Sequence, residues 1–337
     1  MGVSLKSERT EGQVSRPSSA ERRKRQPRRA TSQLRRSTFD VLRATCYVRR
    51  ATGALLRYPA RAVVRIVPLM KSYISVDQRH RSGPFDVIGD VHACLDELND
   101  LFSALGYVTD DVTGWRSPAG RTAVFVGDFV DRGPDNAGTL TLAMRMVAGG
   151  TALAVPGNHD MQLVRHLTHG DVPLVYGLKE TVAELERHPA AFRHDVRDFL
   201  NELPSHVVLD AGKLVVAHTG LATEHHLVDT PLTKRLAVYC VENGEMDPHD
   251  PEKRHPWVAW HQGPPVIYGH TPVLYPAWRN DSIDIDTGCV FGWKLTALRW
   301  PERELVQVPA RRAYFKRSRP FLPHELAAAA QHVAPST

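Results

Sequence analysis

Five short stretches place aspartate, asparagine or histidine directly after an apolar run. They are GDVHA at 89–93 after FDVI, GDFVDRG at 127–133 after TAVFV, PGNHD at 156–160 after TALAV, HTG at 218–220 after KLVVA, and GHTP at 269–272 after PVIY. A single Asp or His in such a place is as readily a helix cap or a hydrogen-bonded core residue as a ligand. The repetition is what a cap does not explain. In an open α/β sheet, ligands sit outside the carboxyl ends of the strands, so Asp90, His92, Asp128, Asn158, His218 and His270 are expected to converge. Mixed carboxylate, amide and imidazole donors are of intermediate hardness and suit manganese, iron, zinc or nickel. One ion would take Asp90 and His92 and a second Asn158, His218 and His270, with the two oxygens of Asp128 bridging them. Two ions about 3.5–4 Å apart form a clamp for in-line displacement at phosphorus, and the reaction expected is phosphoester hydrolysis.

Other residues of these stretches then acquire roles. Arg132 offers a fork of donors for the non-bridging phosphate oxygens. His159 follows Asn158 and is placed to protonate the leaving-group oxygen, with Asp131 as the carboxylate that fixes its tautomer. Asp286, in IDIDTG, is a candidate for orienting His270 from behind.

The elements that must position these groups are legible as apolar runs. FDVI (85–88), TAVFV (122–126), TALAV (151–155), HVVL (206–209), KLVVA (213–217) and PVIY (265–268) read as buried strands. Leu95, Leu98, Leu101, Phe102 and Leu105 fall at helical spacing, as do Leu140, Met144 and Val147. The early βαβα order predicts an α/β core with parallel strands. From residue 282, SIDID, FGWKLTALRW and ELVQV read as consecutive strands and predict an antiparallel section. Two packed sheets with helices outside accommodate both halves. Residues 224–262, rich in His, Pro and charge without a sustained period, are expected to form an insertion over one face.

Composition sets the outer limits. The 337 residues, 42% hydrophobic and 24% charged, suit a soluble globular protein. No apolar run reaches the roughly 20 residues that span a bilayer, and no secretory core is present, so a cytoplasmic protein is expected. Cys46, Cys94, Cys240 and Cys289 are far apart with no CxxC pair, which suggests neither a zinc site nor a disulfide framework. Residues 1–81 hold 20 Lys or Arg against 5 Asp or Glu, although the whole chain carries only +6. Residues 1–80 are therefore read as a basic, largely disordered extension able to contact nucleic acid, with Met70 as an alternative start. The catalytic domain is placed at 81–315, and a tail carrying a short alanine-rich helical stretch at 316–337.

These motifs resemble the calcineurin-like metallophosphoesterases, in the phosphoprotein-phosphatase-like branch with its GDxHG, GDxxDRG, GNH(D/E) and GH signatures. VPGNHD, VYGHTPV and IDIDTGCVFGWKLTALRWPERELVQVPARR are further similar to the phosphatase domain of bacterial polynucleotide kinase-phosphatase over about residues 83–315. The resemblance implies a four-layer αββα sandwich of two mixed sheets flanked by helices. It implies two divalent metal ions, manganese foremost and otherwise nickel, iron, cobalt or zinc. It also implies action on phosphomonoesters, including nucleotide or polynucleotide 2′-phosphates and 2′,3′-cyclic phosphates at RNA ends. It assigns the same metal ligands, acid, acid partner and phosphate clamp as the residue-by-residue argument. The chain departs from the pattern at Ala93, where the motif has Gly, and at Trp293, where a second Gly is common. It also lacks a GxxxxGK(S/T) loop in its first 80 residues.

Relatives with these motifs include protein serine/threonine phosphatases and bis(5′-nucleosyl)-tetraphosphatases, and both remain alternatives. Asp160 in GNHD, where eukaryotic-type protein phosphatases carry Glu, leans towards nucleotide substrates. A reading of another class, a nucleic-acid-binding scaffold acting through the basic arm, has no use for six metal ligands and an acid.

Overall fold

The computed structural model describes residues 75–240 and 256–317, together with the backbone of an antiparallel pair of strands, β1 (Thr45–Arg49) and β2 (Leu55–Pro59). The rest of the basic extension before residue 75 and the alanine-rich stretch of the tail lie outside the described residues, as do residues 241–255.

The chain then runs β3 (Phe85–Ile88), α1 (Leu95–Ala104), a hairpin of β4 (Val108–Asp110) and β5 (Gly114–Arg116), β6 (Thr122–Phe125), α2 (Asn136–Ala148) and β7 (Ala152–Ala154). Helices α3 (Asn158–His169), α4 (Leu178–Leu185) and α5 (Ala190–Glu202) follow, then β8 (His206–Leu209), β9 (Leu214–Ala217) and α6 (Pro231–Tyr239). The fold closes with β10 (Val266–Tyr268), β11 (Ser282–Asp284), β12 (Lys294–Trp300) and β13 (Glu304–Pro309).

Two mixed sheets result. The first has the order β13-β12-β3-β6-β7, with β3, β6 and β7 parallel and β12 antiparallel to both its neighbours. The second has the order β11-β10-β9-β8, parallel except for the β8–β9 hairpin. The late strands therefore do not form one antiparallel section. SIDID supplies β11, which pairs parallel with β10, and only β12 and β13 form the antiparallel hairpin.

The period of two along each strand sorts its side chains between two cores. Phe85 and Val87 of β3, Val124 of β6, Leu298 and Trp300 of β12, Val207 of β8, Val216 of β9 and Ile267 of β10 fill the space between the sheets. Ile88, Phe125 and Ala297 point the other way, into a helix-facing core with Leu98, Phe102, Leu140, Leu163 and Phe199. The outer face of the second sheet is covered by Leu221 and Ala222, just before the region read as an insertion, and by Ala237 and Trp257 within it. There, Thr230 accepts from Thr233 N as an N-cap and Pro231 opens α6. Residues 75–80 belong to the fold: Val208 N donates to Val76 O at 2.8 Å and Gln78 N to Val208 O at 3.0 Å, which edges β8. No helix among the described residues is long and apolar enough to cross a membrane.

Candidate functional site

The five motifs leave the ends of β3, β6, β7, β9 and β10, so both sheets contribute to one crevice. The backbone there is bent in a way that side chains rarely accept. His92, Asp128, Asp131, Arg132 and His270 have φ of 43°, 50°, 73°, 73° and 76°, and Ala93 has 56°. Each such residue costs on the order of 1–3 kcal/mol and persists only where its surroundings fix it. Here His92 N and Ala93 N donate to Asp128 O and Phe129 O, both at 2.8 Å, which ties the first turn to the second. Asp160 ties the second to the third, its two oxygens accepting from Phe129 N at 2.9 Å and Gly157 N at 2.8 Å. Two glycines leave room for the carboxylates. A Cβ on Gly157 would lie 2.0 Å from Asp128 Oδ1, and one on Gly269 would lie 2.0 Å from Asp90 Oδ1.

The imidazoles are oriented from behind. His92 Nδ1 lies 2.8 Å from Val130 O and His218 Nδ1 lies 3.0 Å from Val126 O. Donation of those N–H groups leaves both Nε2 lone pairs facing the centre. Asp128 stands between them, Oδ2 3.5 Å from His92 Nε2 and Oδ1 3.6 Å from His218 Nε2. Asn158 Oδ1 is 2.8 Å from His270 Nδ1 and 3.0 Å from His218 Nε2, and those two nitrogens are 3.2 Å apart. Asp90 Oδ2 accepts from His270 N at 3.1 Å, while its Oδ1 is buried without a hydrogen-bond partner.

Such a site calls for cations. Burial depresses the pKa of His218, and with its Nδ1 on Val126 O the Nε2 lone pair faces the Asn158 carbonyl oxygen at 3.0 Å. Two acceptors at that distance, together with an orphaned carboxylate oxygen, fit positive ions held between them. The sets His92–Asp128–His159 and Asp128–His218–His270 each bring their ligand atoms within 4.8 Å of one another, and Asp128 belongs to both. Burial opposes the charge on Asp128, but His218, His159, His92 and His270 around it hold its carboxyl below the ordinary range. Asp90 has no such company: burial, then Asp286 and Asp128, push it well above that range.

His159 Nδ1 is 2.6 Å from Asp131 Oδ2. Asp131 in turn receives the Thr181 hydroxyl on Oδ1, and its N–H donates to Asn136 Oδ1 at 2.8 Å. Glu184 accepts from Asn136 Nδ2 at 2.7 Å and Ala137 N at 2.8 Å, which caps α2. Arg132 reaches towards the centre, Nη1 2.9 Å from His92 Nε2, with its guanidinium carbon 5.5 Å from the Phe291 ring centre and 5.9 Å from that of Phe315. Asp286 accepts from Gly288 N at 2.9 Å. Burial, with the Asp128 charge, moves its pKa up to about 6, and its own charge bears on Asp90. Asp286 therefore bears on the carboxylates of the site, Asp90 and Asp128.

Thr181, Asn136, Glu184 and Phe315 belong to none of the five motifs, and helices or strand-following segments bring them in. Two of the cysteines come close together without a bond between them. Cys94 and Cys289 are distant in sequence, yet with Glu97 their ligand atoms lie within 4.8 Å, because the turn after β11 packs on the start of α1.

The calcineurin-like phosphoesterase family model matches residues 83–299. The chain is 38% identical over 243 residues to bis(5′-nucleosyl)-tetraphosphatase PrpE (asymmetrical) of Anoxybacillus flavithermus, covering 70% of this chain and 99% of that protein. It is 37% identical over 235 residues to the protein of the same name from Bacillus subtilis, covering 68% and 96%. A crystal structure of a putative diadenosine tetraphosphatase superposes with a TM-score of 0.52 at 25% identity, over 70% of this chain and 98% of that one.

Proposed function

We propose that this chain, which belongs to the calcineurin-like phosphoesterase family and is a phosphoric ester hydrolase, cleaves bis(5′-nucleosyl) tetraphosphates asymmetrically. The carrying observation is Asp128, which turns one carboxylate oxygen towards each of two imidazole sets. The identity to tetraphosphatases over nearly their whole length supports the substrate. Asp90, His92, Asn158, His218 and His270 complete the cradle for two divalent ions, manganese foremost. Such ions supply an activated water and neutralise phosphoryl oxygens.

The chain's own groups do the rest. Arg132 grips the non-bridging oxygens of the scissile phosphoryl group through its fork of donors. Asp131 holds His159 by Nδ1, which leaves Nε2 to carry a proton to the departing oxygen. Thr181 and Asn136 keep Asp131 in place. The proposal includes a cytoplasmic location and an affinity of the basic extension for nucleic acid, both carried by composition.

The test is a substrate panel on metal-free protein resupplied with manganese or nickel: diadenosine tetraphosphate, 2′-AMP, 2′,3′-cyclic AMP and a phosphothreonine peptide. The tetraphosphate is expected to show the highest kcat/KM, with unequal nucleotide products. A 2′-phosphate or cyclic phosphate turned over best would replace this substrate with RNA ends, and the peptide turned over best would replace it with phosphoproteins.

A further inference from the structure

After β13 the chain continues as RRAYFKR, residues 311–317, and this segment is strapped across the fold beside the site. Arg311 pairs with Asp96 at 2.6 Å and Asp100 at 3.0 Å on α1. Glu97 Oε1 accepts from Arg311 N at 2.9 Å and from the Tyr314 hydroxyl at 2.8 Å. Tyr314 N and Phe315 N both donate to Val290 O, at 2.9 and 3.1 Å. The strap is thus fixed by charge-assisted and backbone bonds to two separate elements.

Two aromatic-held cations, Arg132 of the turn after β6 and Arg317 of the strap, meet its rings or those beside it. Phe315 packs against the Arg132 guanidinium, together with Phe291. Arg317 lies 5.4 Å from the ring centre of Trp293, the residue that stands where the resemblance has a glycine. Trp293 rests on Gly288, where a Cβ would lie 2.5 Å from its Cε3, and Gly288 N donates to Asp286. Two arginines are thus held against aromatic rings here: Arg132 reaches the centre, and Arg317 is joined through Trp293 and Gly288 to the turn that carries Asp286.

Reach gives the second one a task. Two divalent ions and Arg132 meet the scissile phosphoryl group, whether it belongs to a phosphomonoester of about two charges at neutral pH or to a longer chain. A tetraphosphate spreads its charges along a chain that leaves the metal cradle, and because attraction falls with distance the far ones are stabilised by cations placed close to them. We propose that Arg317, held by Trp293, is a second phosphate-binding residue that takes the polyphosphate chain beyond the group gripped by Arg132. The inference rests on the tetraphosphate reading for its substrate but has a test of its own.

That test uses the manganese-loaded full chain and two measurements: kcat and KM for diadenosine tetraphosphate, and the inhibition constant of inorganic tripolyphosphate against hydrolysis of 4-nitrophenyl phosphate. Arg317→Gln is expected to raise both KM and the inhibition constant about tenfold, with a much smaller change in kcat. Arg317→Lys should recover part of the loss. Arg312→Gln removes the same charge from the strap, but its guanidinium lies over Tyr314 at 5.0 Å, and neither constant should move. An unchanged inhibition constant in Arg317→Gln, or an equal rise in Arg312→Gln, overturns the inference. If the wild type fails to cleave the tetraphosphate while Arg317→Gln still weakens tripolyphosphate inhibition, the substrate reading fails and the second phosphate site stands.

Discussion

His159 has its role set by what holds it. A ring fixed 2.6 Å from Asp131, and edge-on to His92 at 4.9 Å between centres, cannot turn its Nδ1 to solvent, so its chemistry is confined to Nε2. General acid catalysis matters in proportion to the basicity of the departing oxygen. Alkoxide departure needs the proton most, 4-nitrophenolate least, and a nucleotide phosphate leaves nearly as easily as the phenolate. His159→Ala is therefore expected to lower kcat/KM about a hundredfold on an alkyl phosphate. The loss should be less than tenfold on 4-nitrophenyl phosphate and on the tetraphosphate. Steady-state kinetics on the three substrates check this, and equal losses on all three would remove the acid role. Asp131 and Arg132 share the same turn at φ 73°, which aims one side chain at His159 and the next towards His92 at the centre.

At the scale of elements, apolar runs and strand-end motifs were enough to find β3, β6, β7, β8, β9 and β10 and to show that the side chains following them meet at one crevice, because both signals are local in sequence. Parallel pairing of β11 was not legible, since a three-residue strand carries no mark of its partner. Nor were Thr181 and Glu184, which belong to no motif and gain a role only when α4 is seen to lie on Asp131 and the start of α2. His206 on β8 is a further case, silent in sequence and informative in place. Its Nδ1 lies 3.0 Å from Ser205 Oγ and its Nε2 2.7 Å from His226 O, so the neutral ring is fully bonded. Burial lowers its pKa to about 4, from 6.5 for the free ring. Above pH 6.5 the ring is neutral in folded and unfolded chains alike, and its full contribution is present. Below 6.5 the unfolded chain takes up a proton that the folded one refuses until about pH 4, so stability falls as pH drops through that window. Between pH 7.5 and 5 this amounts to about 2 kcal/mol. Urea unfolding at the two pH values should show that loss in the wild type and a smaller one in His206→Gln; equal losses would show that His206 does not carry it.

The whole molecule joins a basic first quarter to a net acidic remainder, and the two halves of that charge pattern are separable. Every donor and every catalytic group proposed lies between Asp90 and Asp286, with the strap added by residues 311–317. Truncation of residues 1–69 should therefore leave kcat and KM unchanged, and it should abolish low-salt retention on polyanionic columns if the extension binds nucleic acid. Truncation of residues 1–80 should behave differently, although it removes few further charges. It strips Val76 and Gln78, which are 5% and 3% exposed, and leaves the N–H and C=O of Val208 without their present partners at the edge of β8. Two backbone bonds and one buried valine amount to about 2–4 kcal/mol. A fall in Tm of several degrees relative to the 1–69 truncation is the expected result. That edge lies within the sheet that supplies His218 and His270, so the loss should also appear as weaker retention of metal during dialysis. Equal Tm and equal metal content in the two truncations would place the start of the folded unit after residue 80 and remove Val76 and Gln78 from it.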